Sequence, residues 1–219
     1  ANTLVMEGNW LVCHAVLIGK EVVDEVGPFD ESLDACEDSD YWYRASRKSS
    51  FIGVPQPLVR YRRTGRNMSS DKGRMQRALL RLQEKRFGPA VGSPSEWEPL
   101  KRAAYKRTYK LCALYDISAG DYASAALFLE KLHVVAPSEV RSWFLWKSVA
   151  LAHLPVEDRH NVYLADYDIS QKDVAGLLKA ACQTGARKSD LCEDLKSFVS
   201  ASSLALANLA SISGRFSDV

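Results

Sequence analysis

Residues 27–44 have the sequence GPFDESLDACEDSDYWYR, and this segment decides how the first part of the chain is interpreted. The Gly-Pro dipeptide that opens it is typical of a turn, and the pattern that follows predicts a helix over residues 38–47. Glu37, Asp38 and Asp40 would lie at the start of that helix, where the helix dipole favours negative charge. The segment therefore predicts a turn followed by a helix with an acidic first turn.

Short strands and further helices are predicted on either side of this segment. A nearly continuous apolar run at 11–18 is typical of a strand covered on both faces, and residues 51–54 and 58–62 also have strand-like composition. A short helix is predicted over residues 20–25, and a long basic helix over residues 70–87. The first part of the chain is thus expected to combine strands and helices.

The remainder of the chain is predicted to be helical. Residues 88–95 are typical of a linker, and residues 100–116 and 120–137 resemble the two helices of a tetratricopeptide repeat (TPR), with a turn glycine and a closing proline. A stable array needs about three such repeats, so the sequence supports one TPR-like hairpin rather than an array. Further helices are predicted near residues 138–154, 171–183 and 190–211.

These patterns together predict an α+β fold that is mostly helical. A partial α/β subdomain with short strands would occupy residues 1–92, and an all-α TPR-like domain would occupy residues 93–219. No apolar run approaches the roughly 20 residues that a membrane-spanning helix needs. The chain also shows no basic and apolar leader of the kind found in secretory signals.

Cysteine usage and charge point to a compartment and to classes of partner. The five cysteines are scattered without a C-x-x-C pair, so we expect unpaired thiols, no zinc site and a reducing cytosol. Residues 60–110 carry 15 Lys and Arg against 4 Asp and Glu, a local charge of +11. Such a block attracts phosphate or other anionic partners, or forms an ordinary solvated helix face.

Several motifs occur in a fixed order between residues 9 and 87. Asn9 comes first, and VGPFDESL at 26–33 and EDSDYWYR at 37–44 follow it; PLVRYR at 57–62, NMS at 67–69 and KRF at 85–87 complete the series. This order resembles the acceptor-side half of the catalytic domain of family 2 glycosyltransferases, which have the GT-A fold. The resemblance covers residues 5–90 and leaves the helical remainder without an assignment.

The resemblance implies roles for five residues. Asp38 would be the general base that removes the proton from the acceptor hydroxyl, and Glu37 and Trp42 would contact the acceptor. Arg62 and Arg66 would contact the diphosphate of the donor, since guanidinium matches phosphate geometry. The plainer alternative is that Glu37 and Asp38 only cap a helix, that Asp40 and Arg44 form a surface ion pair, and that the arginines are solvated.

Two departures from the family pattern limit what this chain is expected to do. Thr64 stands where the family often has a histidine. The D-x-D motif that holds Mg²⁺ or Mn²⁺ and the nucleotide-sugar donor is absent in a suitable context, because the match at 166–168 lies in the helical region. We therefore expect no metal site and no turnover in this chain alone, with metal and donor bound in the intact enzyme.

These expectations leave two classes of function open. One is the C-terminal part of an inverting glycosyltransferase that acts on a glycan or another hydroxyl acceptor, in the cytoplasm or at its inner membrane surface, with the helical domain available to a protein partner. The other is a non-enzymatic helical scaffold whose basic surface binds a protein or an anionic partner. No nucleic-acid-reading motif is present, so we do not expect a nucleic-acid partner.

Overall fold

The computed structural model describes residues 11–60, 62, 67–140 and 142, together with residues 175–177, 179–181, 191–193 and 195–196. Six helices have defined bounds: α1 (Lys20–Val26), α2 (Glu37–Ser46), α3 (Lys72–Phe87), α4 (Pro99–Ala119), α5 (Tyr122–Val135) and α6 (Pro137–Val140). Short 3-10 helices occupy Cys13–Ala15, Met68–Ser70 and Pro94–Glu96. The contacts divide the chain into two compact units, residues 1–111 and 112–219, with the division inside α4.

The helices predicted at 20–25, 38–47, 70–87, 100–116 and 120–137 are present with close to the expected bounds. The helix predicted at 138–154 lies mostly outside the described residues, and only its first residues are present, in α6. The basic helix predicted from residue 70 begins at Lys72 because Asp71 caps it, its carboxylate accepting a hydrogen bond of 2.9 Å from the Arg74 amide. It ends at Gly88, whose φ of 72° suits a residue without a side chain beyond Cα. Described residues from 175 to 181 and from 191 to 196 are also helical, within the ranges predicted at 171–183 and 190–211.

The predicted strands are absent from the described residues, so that prediction is wrong there. Residues 11–19 contain only the 3-10 helix Cys13–Ala15, and residues 51–60 have no regular secondary structure. A strand needs a neighbouring strand for its backbone hydrogen bonds, and the described residues offer none. The mostly helical character is confirmed, whereas the α/β subdomain and the TPR-like architecture stay predictions.

The core of the first unit forms around α2 and α3. Tyr41 and Trp42 of α2 are buried against apolar side chains from both flanking segments, which are Leu11, Val16, Ile18, Val26 and Phe51. A second cluster joins the loop before α2 to α3 through Leu33, Ala35, Cys36, Ala78 and Leu82. The two clusters therefore flank the acids of α2 in the chain, and residues 30–40 are called the acidic segment below.

The segment predicted as a linker is packed onto the first turns of α4. The Trp97 indole donates a hydrogen bond of 2.9 Å to the Val91 carbonyl, and the Tyr105 hydroxyl donates one of 2.8 Å to the Gly88 carbonyl. The Lys101 ammonium lies 4.9 Å from the centre of the Trp97 ring and donates to the Pro89 carbonyl at 2.8 Å. The domain limits 1–92 and 93–219 stay a prediction.

The second unit contains the turn that the TPR-like pattern predicted. Gly120 has a φ of 76°, and its amide donates a hydrogen bond of 2.9 Å to the Ile117 carbonyl. Asp121 then caps α5 by accepting a hydrogen bond of 3.1 Å from the Ser124 amide, and this bond lowers the pKa of the Asp121 carboxyl. Buried residues of α5 include Ala125, Leu129 and Leu132.

The cysteines do not all behave as the sequence predicted. Cys13, Cys36 and Cys112 are not disulfide-bonded, but Cys192 is disulfide-bonded. Spacing along the chain does not report which cysteines meet in space, and for that reason the absence of a C-x-x-C pair was a poor guide. The prediction that every thiol is unpaired is therefore wrong at Cys192. Among the described residues, no helix is long and apolar enough to cross a membrane.

Candidate functional site

The loop before α2 is held by its first acid and by an aromatic contact. Asp30 accepts a hydrogen bond of 2.9 Å from the Ser32 amide, and the Asp30 carbonyl accepts one of 3.2 Å from the Leu33 amide. Phe29 packs against Tyr41 with ring centres 4.5 Å apart. The Phe-Asp pair of the motif therefore shapes the turn that leads into the helix.

Arg44 connects α2 to the turn that precedes the loop. Its Nε donates to Asp40 at 2.9 Å, and its two terminal nitrogens donate to the carbonyls of Val26 at 2.7 Å and Pro28 at 2.8 Å. The sequence predicted an ordinary surface ion pair between Asp40 and Arg44. The pair forms, but that environment is wrong, because the Asp40 side chain is only 2% exposed.

Lys85, from the last turn of α3, bridges two acids of the segment. Its ammonium lies 2.6 Å from an Asp30 oxygen and 2.9 Å from an Asp40 oxygen. Partial burial disfavours the charge of Lys85, but the hydrogen bonds to both acids outweigh that cost and raise the pKa of Lys85. The hydrogen bond from Lys85 is the largest reason why the pKa of Asp30 is lowered below its ordinary value of 3.8.

Two arginines of α3 also bind the acidic segment, through its backbone carbonyls. Arg86 donates to the Ser39 carbonyl, and its guanidinium lies 4.5 Å from the centre of the Tyr43 ring. Burial lowers the pKa of Arg86 to about 10, so the side chain keeps its charge at neutral pH. At the other end of α3, Arg74 donates to the Asp34 carbonyl. Helix α3 thus holds the acidic segment at several points.

The two acids that were predicted to act on the acceptor lie in the first turn of α2. Glu37 and Asp38 are both partly exposed, in contrast to the buried Asp40. One Asp38 oxygen accepts a hydrogen bond of 2.6 Å from the Ser39 amide. Asp38 is therefore a carboxylate on a rigid helix start that keeps access to solvent, which a general base requires.

Cys36 gives this helix start an unusual backbone. It is the residue before α2, and its φ of 62° makes it the non-glycine residue of the described chain with a left-handed conformation. That conformation costs a residue with a Cβ roughly 1–3 kcal/mol. Burial, reinforced by the charges of Asp38 and Glu37, raises the pKa of the Cys36 thiol to about 12, so it is a neutral packing group.

Trp42 lies in the core rather than at an open surface. Its side chain is one helical turn beyond Asp38, but it is only 5% exposed and is surrounded by the apolar residues of the first cluster. Its indole nitrogen is buried without a hydrogen-bond partner in the described part of the chain. The geometry therefore gives Trp42 a packing role, and the predicted contact with an acceptor sugar does not follow from it.

Only one of the two arginines predicted to contact phosphate lies in the described part of the chain. Arg62 is exposed, its carbonyl accepts a hydrogen bond of 3.1 Å from Asn67, and within the described residues it makes no ion pair with Glu37 or Asp38. Arg66 lies outside the described residues.

The described residues do not fit a divalent cation. No group of three or more His, Cys, Asp or Glu side chains that could hold one is present within residues 11–60, 67–140 and the short described pieces beyond. In the Asp38-Ser39-Asp40 triplet, the oxygens of Asp40 are already bound by Lys85 and Arg44. The acids at 166 and 168 lie outside the described residues.

Sequence reasoning identified the KRF motif at 85–87 but gave its members no role. The structure assigns contacts to all three, since Phe87 also packs against Tyr43 with ring centres 5.8 Å apart. The sequence did offer a signal for this role. Lys85 and Arg86 form a basic pair at the end of a predicted helix, and their motif closes the ordered series that contains the acidic motif. Comparison of the chain with family models, curated proteins and solved structures found no match.

Proposed function

We propose that this chain is the acceptor-side part of an inverting glycosyltransferase, in which Asp38 is the general base. The proposal rests on the motif order in the sequence, and one structural observation supports it most. Arg44 and Lys85 form an ionic network around the buried Asp40 carboxylate, and Asp38 lies partly exposed in the first turn of α2. A base on a fixed helix start suits proton removal from a hydroxyl.

The chemistry assigned to this chain is one proton transfer. Asp38 takes the proton of the acceptor hydroxyl while that oxygen forms a bond to the anomeric carbon of the sugar. The bond from that carbon to the nucleotide diphosphate breaks, and the diphosphate leaves with the electron pair on the opposite face, which inverts the configuration. Glu37, in the same turn, would accept a hydrogen bond from a neighbouring acceptor hydroxyl.

Most of the donor site is assigned to the intact enzyme rather than to this chain alone. The described acids do not form a site for Mg²⁺ or Mn²⁺. In the intact enzyme such an ion would neutralise the diphosphate of the nucleotide-sugar donor. Arg62 and Arg66 stay candidates for diphosphate contacts on the grounds of their chemistry alone.

Replacement of the proposed base tests this function. In the full-length protein, Asp38→Asn should lower nucleotide release from UDP-glucose, UDP-N-acetylglucosamine or GDP-mannose by about 100-fold or more, because general-base catalysis contributes roughly 10²–10⁴-fold. Asp24→Asn is the matched control, since Asp24 is an exposed acid of α1 paired with Lys20 at 2.6 Å. Full turnover by Asp38→Asn, or no turnover by the unaltered protein with any of these donors, would contradict the proposal.

A second candidate function is an anionic-surface-binding scaffold. Arg77 and Arg81 lie one turn apart on α3, are exposed, and make no ion pair with any described residue. Such side chains are available to phosphate groups. If this function holds, the chain should bind vesicles containing phosphatidylserine with a steep salt dependence, and the double change Arg77→Gln with Arg81→Gln should weaken that binding. Equal binding to neutral phosphatidylcholine vesicles would exclude it.

A further inference from the structure

Helix α3 binds the acidic segment with basic side chains from its two ends. At its start, Arg74 donates to the Asp34 carbonyl; in its last turn, Lys85 pairs with Asp30 and Asp40, and Arg86 donates to the Ser39 carbonyl. These partners are on both sides of Glu37 and Asp38 in the chain. The backbone that carries the two proposed acceptor-binding acids is therefore held before and after them.

The contacts closest to Asp38 come from Lys85 and Arg86. Arg86 binds the carbonyl of Ser39, the residue that follows Asp38, and Lys85 binds the carboxylate of Asp40, two residues after it. We propose that Lys85 and Arg86 are positioning residues that set where the Asp38 carboxylate lies, an inference that rests on the proposed function. Neither residue needs to touch a substrate to have this effect.

The proposed positioning of Asp38 depends on a positive charge at residue 85. The Lys85 ammonium lies between two carboxylates, at 2.6 Å from Asp30 and 2.9 Å from Asp40. Without that cation the loop acid and the helix acid would repel each other, and the loop would move away from the first turn of α2. A base displaced by even about 1 Å can lose about 100-fold in rate, because proton transfer needs hydrogen-bond geometry.

The backbone effect can be measured in this chain without any substrate. The Asp40 amide donates to the Cys36 carbonyl at 3.1 Å in the first turn of α2, and the Ser49 amide donates to the Ala45 carbonyl at 2.9 Å beyond the other end. Lys85→Met should speed hydrogen exchange of the Asp40 amide by about tenfold or more while the Ser49 amide changes much less. Lys85→Arg, which keeps the charge, should restore slow exchange at Asp40.

Lys48 provides a matched control, because it is a lysine next to α2 whose ion pair does not involve Asp40. Lys48 follows α2 and lies 3.1 Å from Glu25, and both side chains are about half exposed. Lys48→Met should leave the Asp40 amide as slowly exchanging as in the unaltered chain. If Lys48→Met and Lys85→Met had the same effect on Asp40, or if Lys85→Met had none, the positioning role would be overturned.

Turnover then separates positioning from a merely structural role. In the full-length protein, Lys85→Met should lower kcat for the nucleotide sugar about tenfold or more at an unchanged KM, measured well below the unfolding temperature of the variant, and Lys85→Arg should recover most of it. Arg86→Lys, which keeps the charge but loses the planar donor geometry, should lower kcat to a smaller extent.

The two proposals fail in different ways. If Asp38→Asn abolishes turnover while Lys85→Met keeps full kcat, Asp38 retains its role and the positioning inference is overturned. If Asp38→Asn keeps full turnover, the proposed function is overturned, and the exchange of the Asp40 amide still decides whether Lys85 holds the turn.

Discussion

The sequence predicted a helix for α2 and strands for the segment at residues 51–60. The helix is present, whereas the strands are not. In α2, Tyr41 and Trp42 are only 4% and 5% exposed. In the other segment, Ile52 is 91% exposed and Leu58 is 74% exposed, although the sequence predicted that both belong to strands. The apolar side chains are comparable in the two regions, but only one region buries them.

The difference lies in where each kind of backbone finds its hydrogen bonds. A helix closes its bonds four residues along the same segment, so α2 and α3 form and then pack through their apolar faces. A strand needs a second strand at its edge, and the described residues provide none. The comparison predicts that changes in the α2 network are costly and that changes in residues 51–60 are not.

Among changes in the ionic network around α2, removal of the charge of Asp40 should have the largest effect on stability. Asp40→Asn would leave the partly buried cations Arg44 and Lys85 without their shared anion, which should cost about 2–3 kcal/mol; partial exposure of the cations keeps this below the roughly 3–5 kcal/mol of a fully buried pair. Urea unfolding measures the change. The exposed pair of Lys20 and Asp24 is the control, and Asp24→Asn should cost at most about 0.5 kcal/mol. Equal costs would contradict the structure.

The backbone at Cys36 should produce the next largest effect. Cys36→Val places a β-branched side chain at a φ of 62° and should destabilise the chain by about 1–3 kcal/mol. Cys36→Gly relieves the strain but removes a buried side chain, so its net effect should stay within about 1 kcal/mol. Urea unfolding of both variants decides the matter, and a valine variant as stable as the glycine variant would show that the residue is not left-handed.

Acid should weaken the contact between the loop and α3. The Asp30 carboxyl has a lowered pKa in the folded chain, so its contribution is complete above the unfolded value of 3.8 and is lost as the pH falls further. Asp30→Asn removes that contribution, and the urea midpoint of the variant should therefore fall less steeply than that of the unaltered chain below about pH 4. Parallel pH profiles would argue against the contact with Lys85.

The smallest effect is expected in the segment without strand structure. Ile52→Ser should change the free energy of unfolding by no more than about 0.5 kcal/mol, because the side chain is already exposed. Leu82→Ala is the contrast, since Leu82 is 1% exposed in the second cluster and its loss should cost about 2–5 kcal/mol. A large cost at Ile52, measured by the same urea unfolding, would show that the segment does have a packing partner.

Local patterns predicted the helices well because their signals lie within each element. The cap at Asp71, the turn glycine at 120 and the apolar periodicity are short-range features, and the observed bounds differ from the predicted ones by a few residues. For the candidate site, the sequence placed Asp38 and Glu37 at the helix start, where they lie, and gave no signal that Trp42 is buried. The roles of these residues and of Arg62 stay predictions.

The sequence by itself determined where the helices begin and end and which acids occupy the first turn of α2, because capping and helix periodicity act within a few residues. Only the tertiary structure decided that Lys85 and Arg86, more than 40 residues beyond Asp40, bind that turn. It also decided that Asp40 is buried and Asp38 is not. Burial and ion pairing depend on which distant segments meet, and no local pattern in the chain reports such a meeting.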